Sequence, residues 1–473
     1  MSTHFEDRIK EAVAFFRQAR PFVVRIVGNQ DADGIAAVAV LAQALTRERI
    51  KFVASIVRQL TPAFIAELEK EHYDTYFFAD LGGPHISLLE QLKGKHVFVF
   101  DHHLPEKDSP TIWHLNPQLH GIDGTRDISA AGVAYLFSRC LHEDNKSEAY
   151  LALVGALGDG QEDNGFSGYN QDFLDTAVTT GHVLQHHDLR IFGMQTKPLH
   201  KALEYSTSPY IPAVTGNEKQ AVHFLEVLGI QPYAQGKWKY LRNLTEQEVK
   251  KLIVAITTQR IGSDANDEIY GPVYLLASEP EESLLRDLRE YSVVLNCCAR
   301  MNRGGLGMGV CFRSMNSQEK ALELHTHYRK DIIDCLHWFY HHKGKEGYVE
   351  EGRGYVLINA EESVKDFLLG TLCSLISRSN IYPDGTVILG MAHGLDDSTK
   401  ISARIAGVNT RDLHVGKILE QIMQKFGGHA GGHSFAAGAT IGQDQEPSFI
   451  AYAKEILQQQ LLLSESAGNK IVL

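Results

Sequence analysis

The sequence predicts an α/β protein: a parallel-sheet domain first, a mainly helical middle region, and a smaller C-terminal α/β domain. Three observations lead there. Over roughly the first 190 residues, short β-rich runs alternate with helix-like ones, the order that builds a parallel sheet covered by helices on both faces. From there to about residue 345 the chain turns to long helical segments with few strands, and from about Tyr348 the alternation resumes. These breaks divide the chain into 1–190, 191–345 and 346–463, with a short tail, 464–473, expected to fray.

In the first domain Pro21–Val27 is a β-rich run, and the alanine-rich Gly34–Leu45 is helical. Phe52–Val57 is the next strand and Thr61–Glu71 the next helix. Thr75–Phe78 and His96–Phe100 are two more strands, with Ser87–Leu92 helical between them. The Ser129 hydroxyl suits the N-cap of a helix over Ala130–Cys140, and Glu148–Leu157 leads into Gly158 and Asp159. In the middle region Leu244–Gln259, Glu282–Met301 and Ser317–His341 are helical, and Ser206–Gly216 is a loop or junction. In the last domain Gly354–Asn359, Thr386–Gly390 and Ser402–Ile405 are strands, while Glu362–Ile376 and Val415–Lys425 are helices.

At 473 residues the chain exceeds one ordinary core, so two or three domains are expected. Its apolar runs fall well short of the roughly 20 residues that span a bilayer, and no membrane association is expected. The N-terminal MSTHFEDRIKEAVAFF is amphipathic and mixed in charge, unlike a signal peptide, and reads as a first helix. The six cysteines form no CxxC pair, which removes zinc-ribbon and thioredoxin-like readings. Free thiols in apolar stretches suit a reducing cytoplasm, the expected location. A net charge of -12 excludes a surface coated to hold long duplex DNA. It leaves room for a nucleic-acid enzyme, because carboxylates around bound cations count as negative while the cations go uncounted.

Four segments share one form, an apolar run ending in carboxylates or histidines. Asp31 and Asp33 stand in VGNQDADG, Asp80 in YFFADLGG, Asp101, His102 and His103 in FVFDHH, and Asp159 in VGALGDGQ. If all four runs are parallel strands, their ends meet at one edge of one sheet, where open sheets bind ligands. Five acidic residues and two imidazoles would then converge on a divalent-metal site. A pair of such ions neutralises a phosphodiester, lowers the pKa of a bound water and holds the attack in line. An oxygen-rich ligand set favours Mn²⁺ or Mg²⁺, and added histidine tilts the choice toward Mn²⁺. DADG alone also occurs in ordinary surface turns; it is the series of four motifs that carries the reading.

Near the C-terminus, GGHAGGHSFAAG spans His429, Gly431, Gly432 and His433. Its glycines would let backbone N–H groups approach a phosphate, or they form only a helix–strand turn. Lys400, Ser402 and Arg404 alternate along a strand-like run, so all three can face one side. Arg404 is then either a phosphate clamp or half of an exposed ion pair. His186-His187 and His341-His342 follow helix-like segments and read as structural. Trp338, Phe339 and Tyr340 read as core before they read as a base-stacking platform, and the spacing of Asn302-Arg303-Gly304-Gly305 places it in no site.

The order of these motifs resembles the DHH phosphoesterase family: DADG, the lone Asp80, Asp101-His102-His103 and Gly158-Asp159, with GGHSFAAG resembling the family's DHH-associated domain. NPQLHGIDGTRDISAAGVAYLF and LNCCARMNRGGLGMGVCF are most similar to the archaeal RecJ-like branch, the GINS-associated nucleases. The resemblance implies a RecJ-like exonuclease that hydrolyses single-stranded DNA or RNA with Mn²⁺ or Mg²⁺, two ions per active site, and associates with the GINS complex. It implies Asp33, Asp80, His102 and Asp159 around one ion, and Asp31 with the shared Asp80 at a second. His103 would face the scissile phosphate, with Asp101 orienting the histidines and a metal-activated water attacking. Gly431, Gly432, His433, Ser402 and Arg404 would meet substrate. One position departs from the family, which usually places histidine where this chain has Asn29. An amide is a poorer ligand than imidazole, so the second ion is expected to bind weakly, arrive with substrate or be absent. Two other readings share the fold: a replication scaffold of weak or no activity that binds GINS, and a phosphodiesterase of dinucleotides or short oligonucleotides.

Overall fold

The computed structural model describes residues 3–468 other than 164, 207, 208, 210, 212, 260–268, 380, 395, 396, 412, 429 and 433. These residues fall into two compact units. The first lies within Met1–Leu203, Leu225–Ile253 and Glu268–Thr326, and the second within Glu204–Phe224, Val254–Asp267 and His327–Leu473. Residues of the middle region thus divide between the two units.

The first unit is built on five strands: β1 (Val23–Asn29), β2 (Lys51–Val57), β3 (Thr75–Ala79), β4 (His96–Phe100) and β5 (Trp113–Leu115). They form one parallel sheet in the order β2-β1-β3-β4-β5. Successive residues serve opposite faces. Val24, Ile26, Phe77, Ala79, Phe98 and Phe100 enter one core, while Val27, Tyr76, Phe78, Val97 and Val99 enter the other. Both faces are covered, which explains why these strands read as unbroken apolar runs. On the first face lie α1 (Thr3–Ala19), α2 (Ala32–Arg47), α5 (Ala130–Leu141), α6 (Ala149–Gly158) and α7 (Gly168–Thr179). Phe77 packs edge-on against Phe98, Phe100 and Phe137 there, with ring centroids 5.1, 5.2 and 5.8 Å apart. The other face carries α3 (Pro62–Lys70) and the single turn α4 (Ile86–Leu89). Thr61 caps α3 with proline next in line, and Ser129 caps α5 as expected.

Register places the site. Gly28 pairs with Ala79 and Ala79 with Phe100, so the chain leaves β1, β3 and β4 at one level, through Asn29, Asp80 and Asp101. The fourth motif arrives differently. Its apolar run is the helix α6, and Asp159 caps the C-terminal end of that helix rather than a strand.

Two more helices follow: Leu288–Arg300 packs on α2 and α6, and Gly304–Cys311 packs on α2. The second is glycine-rich and was not expected, and the first begins six residues later than Glu282. An antiparallel ribbon of Val183–Leu189 and Tyr270–Leu276 also lies in this unit. His186 and His187 stand on that ribbon, not after a helix.

In the second unit a six-stranded sheet runs in the order Val349–Gly352, Tyr355–Asn359, Val387–His393, Ser398–Ile405, Ala436–Gly442 and Gly431–Gly432. Only the Tyr355–Asn359 and Val387–His393 strands pair in parallel. Helices Val415–Met423 and Glu446–Gly468 share a core with one face of this sheet. The helix Asp366–Arg378 packs beside the Val387–His393 and Ser398–Ile405 strands. No described helix is long and apolar enough to cross a membrane.

Candidate metal centre

Each acidic residue reaches the sheet edge by its own local device. Asp31 caps α2, its Oδ1 accepting from the Gly34 amide at 2.8 Å. Asp33, in the first turn of the helix and fully buried, accepts from the amides of Ala130 at 2.7 Å and Ala131 at 2.9 Å. It therefore sits on the N-terminal end of α5, where the helix dipole favours negative charge. Asp80 has a left-handed backbone, φ 59°, held by its amide donating to the Phe100 carbonyl at 2.8 Å. That conformation costs a non-glycine residue about 1 kcal/mol, and aspartate is among the residues that tolerate it.

Asp101 faces inward and is fully buried. Its Oδ1 accepts from the His102 amide, the His103 amide and His103 Nδ1 at 2.8, 3.1 and 2.8 Å, and its Oδ2 from the Gly83 amide at 2.6 Å. Burial works to raise this carboxyl, but the His103 hydrogen bond and the nearby imidazoles outweigh it and hold it at about 2. His103 is half exposed, and the Asp101 hydrogen bond raises its imidazole above the ordinary value. His102 is buried, with Nδ1 against the Gly124 carbonyl. That contact assigns the proton to Nδ1 and leaves Nε2 as the lone-pair nitrogen.

Around His102 Nε2 stand Asp159 Oδ2 at 3.1 Å, Asp80 Oδ1 at 3.4 Å and Asp33 Oδ2 at 3.8 Å. Neither His102 Nε2 nor Asp80 Oδ1 meets a partner in good hydrogen-bond geometry, although both are buried. Orphaned buried atoms are costly in a finished core, and two facing each other fit a cation between them. Burial followed by Asp159 raises the Asp33 carboxyl to about 6; burial followed by Asp31 raises Asp80 well above the usual range. On His102 burial acts to lower the imidazole, but Asp159, Asp80 and Asp33 outweigh it and hold it at about 12. The same negative field attracts a divalent cation, which would displace that proton. Three carboxylates and one imidazole match the donor preferences of Mn²⁺ and Mg²⁺, so these residues fit the ion the sequence implies.

Asn29 stands beside this cluster. Its Nδ2 donates to Asp31 Oδ2 at 2.8 Å and to Asp80 Oδ2 at 3.0 Å, and its Oδ1 accepts from the Gln30 amide at 2.8 Å. The loop is pinned from behind. Ala32 N donates to Asn296 Oδ1 at 3.0 Å, and Gln30 Nε2 donates to the Ala299 carbonyl and, at 3.4 Å, to Asn302 Oδ1. Asn302 thus lies behind the DADG loop.

Several supporting groups carry no side-chain signal that sequence reading could use. They are the Gly124 carbonyl and the Ala130 and Ala131 amides, together with Gly155, where a Cβ would lie 2.1 Å from Asp33 Oδ1. Asn116 and Gln118, inside the NPQLH segment, donate to the His103 and His102 carbonyls at 2.9 and 2.6 Å. That short polar run after the DHH strand was the available clue.

The residues expected to meet substrate lie in the second unit. Ser402 and Arg404 alternate with buried Ile401, Ala403 and Ile405, so they share a face with Lys400 as expected. That face turns toward the helix Asp366–Arg378: Arg404 Nε donates to Ser374 Oγ at 3.0 Å and its NH1 to the Ala403 carbonyl at 2.7 Å. Arg404 is thus hydrogen-bonded within its own unit. Gly431 and Gly432 pair with Gly438 and Ala437, and Gly432, φ 152°, has the Ala436 carbonyl 2.3 Å from where a Cβ would lie. His429 and His433 lie outside the described residues. Phe339 is buried as expected, whereas Trp338 is only partly buried, stacking on His342 at 4.8 Å, and Tyr340 is exposed, so the core reading holds for Phe339 alone of the three.

Residues 23–157 match the DHH family, N-terminal domain; residues 191–269 match the DHH-CID domain, and residues 355–459 the DHHA1 domain. Among curated proteins, an uncharacterized protein of Methanocaldococcus jannaschii is 29% identical over 451 residues, covering 93% of this chain and 94% of the relative. The single-stranded-DNA-specific exonuclease RecJ of Thermus thermophilus is 31% identical over 165 residues, 32% of this chain and 25% of that protein. Among solved structures, CDC45 from Entamoeba histolytica superposes with a TM-score of 0.67 at 11% identity, covering 97% of this chain and 99% of that one. RecJ of Thermus thermophilus in complex with Mn²⁺ gives 0.57 at 17% identity, covering 95% of this chain and 55% of that one. At such identities the two structures share the fold with this chain.

Proposed function

The chain belongs to the DHH family, and from that premise we propose that it is a metal-dependent phosphodiesterase, a RecJ-like exonuclease that hydrolyses single-stranded DNA or RNA. The observation that carries this reading is the pair of orphaned buried atoms, His102 Nε2 and Asp80 Oδ1, set among Asp33 and Asp159. Those four residues would hold Mn²⁺ or Mg²⁺. Bound there, the ion would offset phosphate charge and acidify a water at neutral pH. The chain's own groups do the rest. Asp101 orients His103 and raises its imidazole above the ordinary value, so a half-exposed group that holds its proton more firmly faces a phosphate oxygen or, as an acid, the leaving oxygen. The Gly124 carbonyl keeps His102 in one tautomer. Gly431, Gly432, His433, Ser402 and Arg404 keep the roles the family implies. In this reading the protein belongs to the archaeal GINS-associated branch and works in DNA replication or repair.

The test is hydrolysis of end-labelled DNA and RNA single strands by the purified chain with Mn²⁺. We expect loss of activity without metal and in Asp33→Ala, which removes a buried carboxylate of the cluster. Undiminished hydrolysis in Asp33→Ala would sink the assignment. A second reading, a weakly active replication scaffold, is favoured by one observation, the Asn29 amide between Asp31 and Asp80. It predicts that Asp33→Ala leaves GINS binding intact while the wild type hydrolyses nothing.

A further inference from the structure

Asp31, partly buried, and Asp80, buried, stand close together on the β1 side of the cluster, and two neighbouring carboxylates need a hydrogen-bond donor between them. Here that is the Asn29 side chain. One amide nitrogen uses both protons, one on Asp31 Oδ2 and one on Asp80 Oδ2. The amide is held that way round, because its oxygen already accepts the Gln30 N–H. A flip would set an oxygen against two carboxylates and a nitrogen against a donor. Both Asp31 oxygens are already engaged, since the other one accepts from the Gly34 amide. The described residues that gather within ligand distance are Asp33, His102 and Asp159, and Asp80, His102 and His103; Asp31 is in neither group. The loop cannot easily move aside, because Gln30 and Ala32 are tied to the helix Leu288–Arg300.

Resting on the metal-dependent reading above, we propose that Asn29 is a resident substitute for the second metal: its amide clamps Asp31 to Asp80, and the protein holds one tightly bound ion, at Asp33, Asp80, His102 and Asp159. Asn29 is then a positioning residue. It orients the shared Asp80 toward the single ion without contributing a ligand, and an uncharged amide does so independently of pH and of metal supply. At the place of a second ion, a hydrogen-bonded bridge links Asp31 to Asp80.

Metal-free protein titrated with Mn²⁺ by calorimetry and checked by equilibrium dialysis reads this directly. We expect one tight ion per chain in the wild type, and in Asn29→His, which exchanges the clamping amide for an imidazole ligand, a second ion bound at least about 10-fold more tightly than in the wild type. Two ions of similar affinity in the wild type would overturn the substitution while leaving the metal-dependent reading standing. No ion at all would overturn both. Should Asn29→His fail to fold, electron paramagnetic resonance of the wild type decides alone. An isolated Mn²⁺ spectrum at two equivalents, with the excess free in solution, is the expected result; a spin-coupled pair contradicts it.

Discussion

Asp101 touches no part of the proposed ion's ligand shell except through its neighbours, yet it receives four hydrogen bonds, from two backbone amides of the DHH triplet, the Gly83 amide and the His103 ring. Its carboxylate keeps the His103 imidazole raised. A raised imidazole is protonated at low pH and loses its proton as pH rises through its folded value, so a rate needing His103 protonated falls on the alkaline side. Asp101→Asn removes the charge that sustains this. The alkaline limb of the rate profile should move to lower pH, and stability should drop by about 1–3 kcal/mol as an amide N–H₂ meets a donor such as Gly83 N–H. An unmoved alkaline limb in a folded variant would show that His103 does not act as the protonated group. At this scale much was legible. Asp31, Asp33, Asp80, Asp101, His102, His103 and Asp159 were all picked out, because carboxylates and imidazoles after apolar runs are visible as letters. The orientation of the Asn29 amide was not, because it depends on hydrogen bonds to residues 2 and 51 positions away.

Among the elements, α6 shows where sequence reading fell short. A fully buried helix and a buried parallel strand are both unbroken apolar runs, so hydropathy alone cannot separate them. Asp159 was therefore aligned with strand ends, while it actually closes a helix. The misreading left the converging residues unchanged, since α6 packs on α2 and α5 and delivers its C-terminus to the same place. Packing also explains Gly155 inside α6. Alanine is the better helix former by about 1 kcal/mol, but its Cβ would lie 2.1 Å from Asp33 Oδ1 and 2.6 Å from the Ala131 Cβ. Gly155→Ala should keep the fold and weaken Mn²⁺ binding by about 10- to 100-fold, by pushing Asp33 off the α5 amides. Calorimetric affinity equal to the wild type would refute this. The ribbon strand Val183–Leu189, with four polar residues in seven, had no apolar signature, and its pairing with Tyr270–Leu276 is a long-range choice that local pattern does not record.

For the whole molecule, the fold class was legible because alternation of strand and helix is a global pattern that tolerates errors at single boundaries. How the middle residues divide between two compact units was not, since that depends on contacts between segments distant in sequence. Three domain matches in order along the chain and fold likeness over nearly all of this chain to both RecJ and CDC45 agree with one architecture, and fold alone does not select a chemistry. The selection rests on a negatively charged cluster with two unsatisfied buried atoms at its centre. Crystals of this chain soaked in Mn²⁺ and measured at the manganese absorption edge would test it most directly. The account predicts a strong anomalous peak bounded by Asp33, Asp80, His102 and Asp159. A well-ordered cluster without manganese density at that position, under metal concentrations that support hydrolysis, would contradict it.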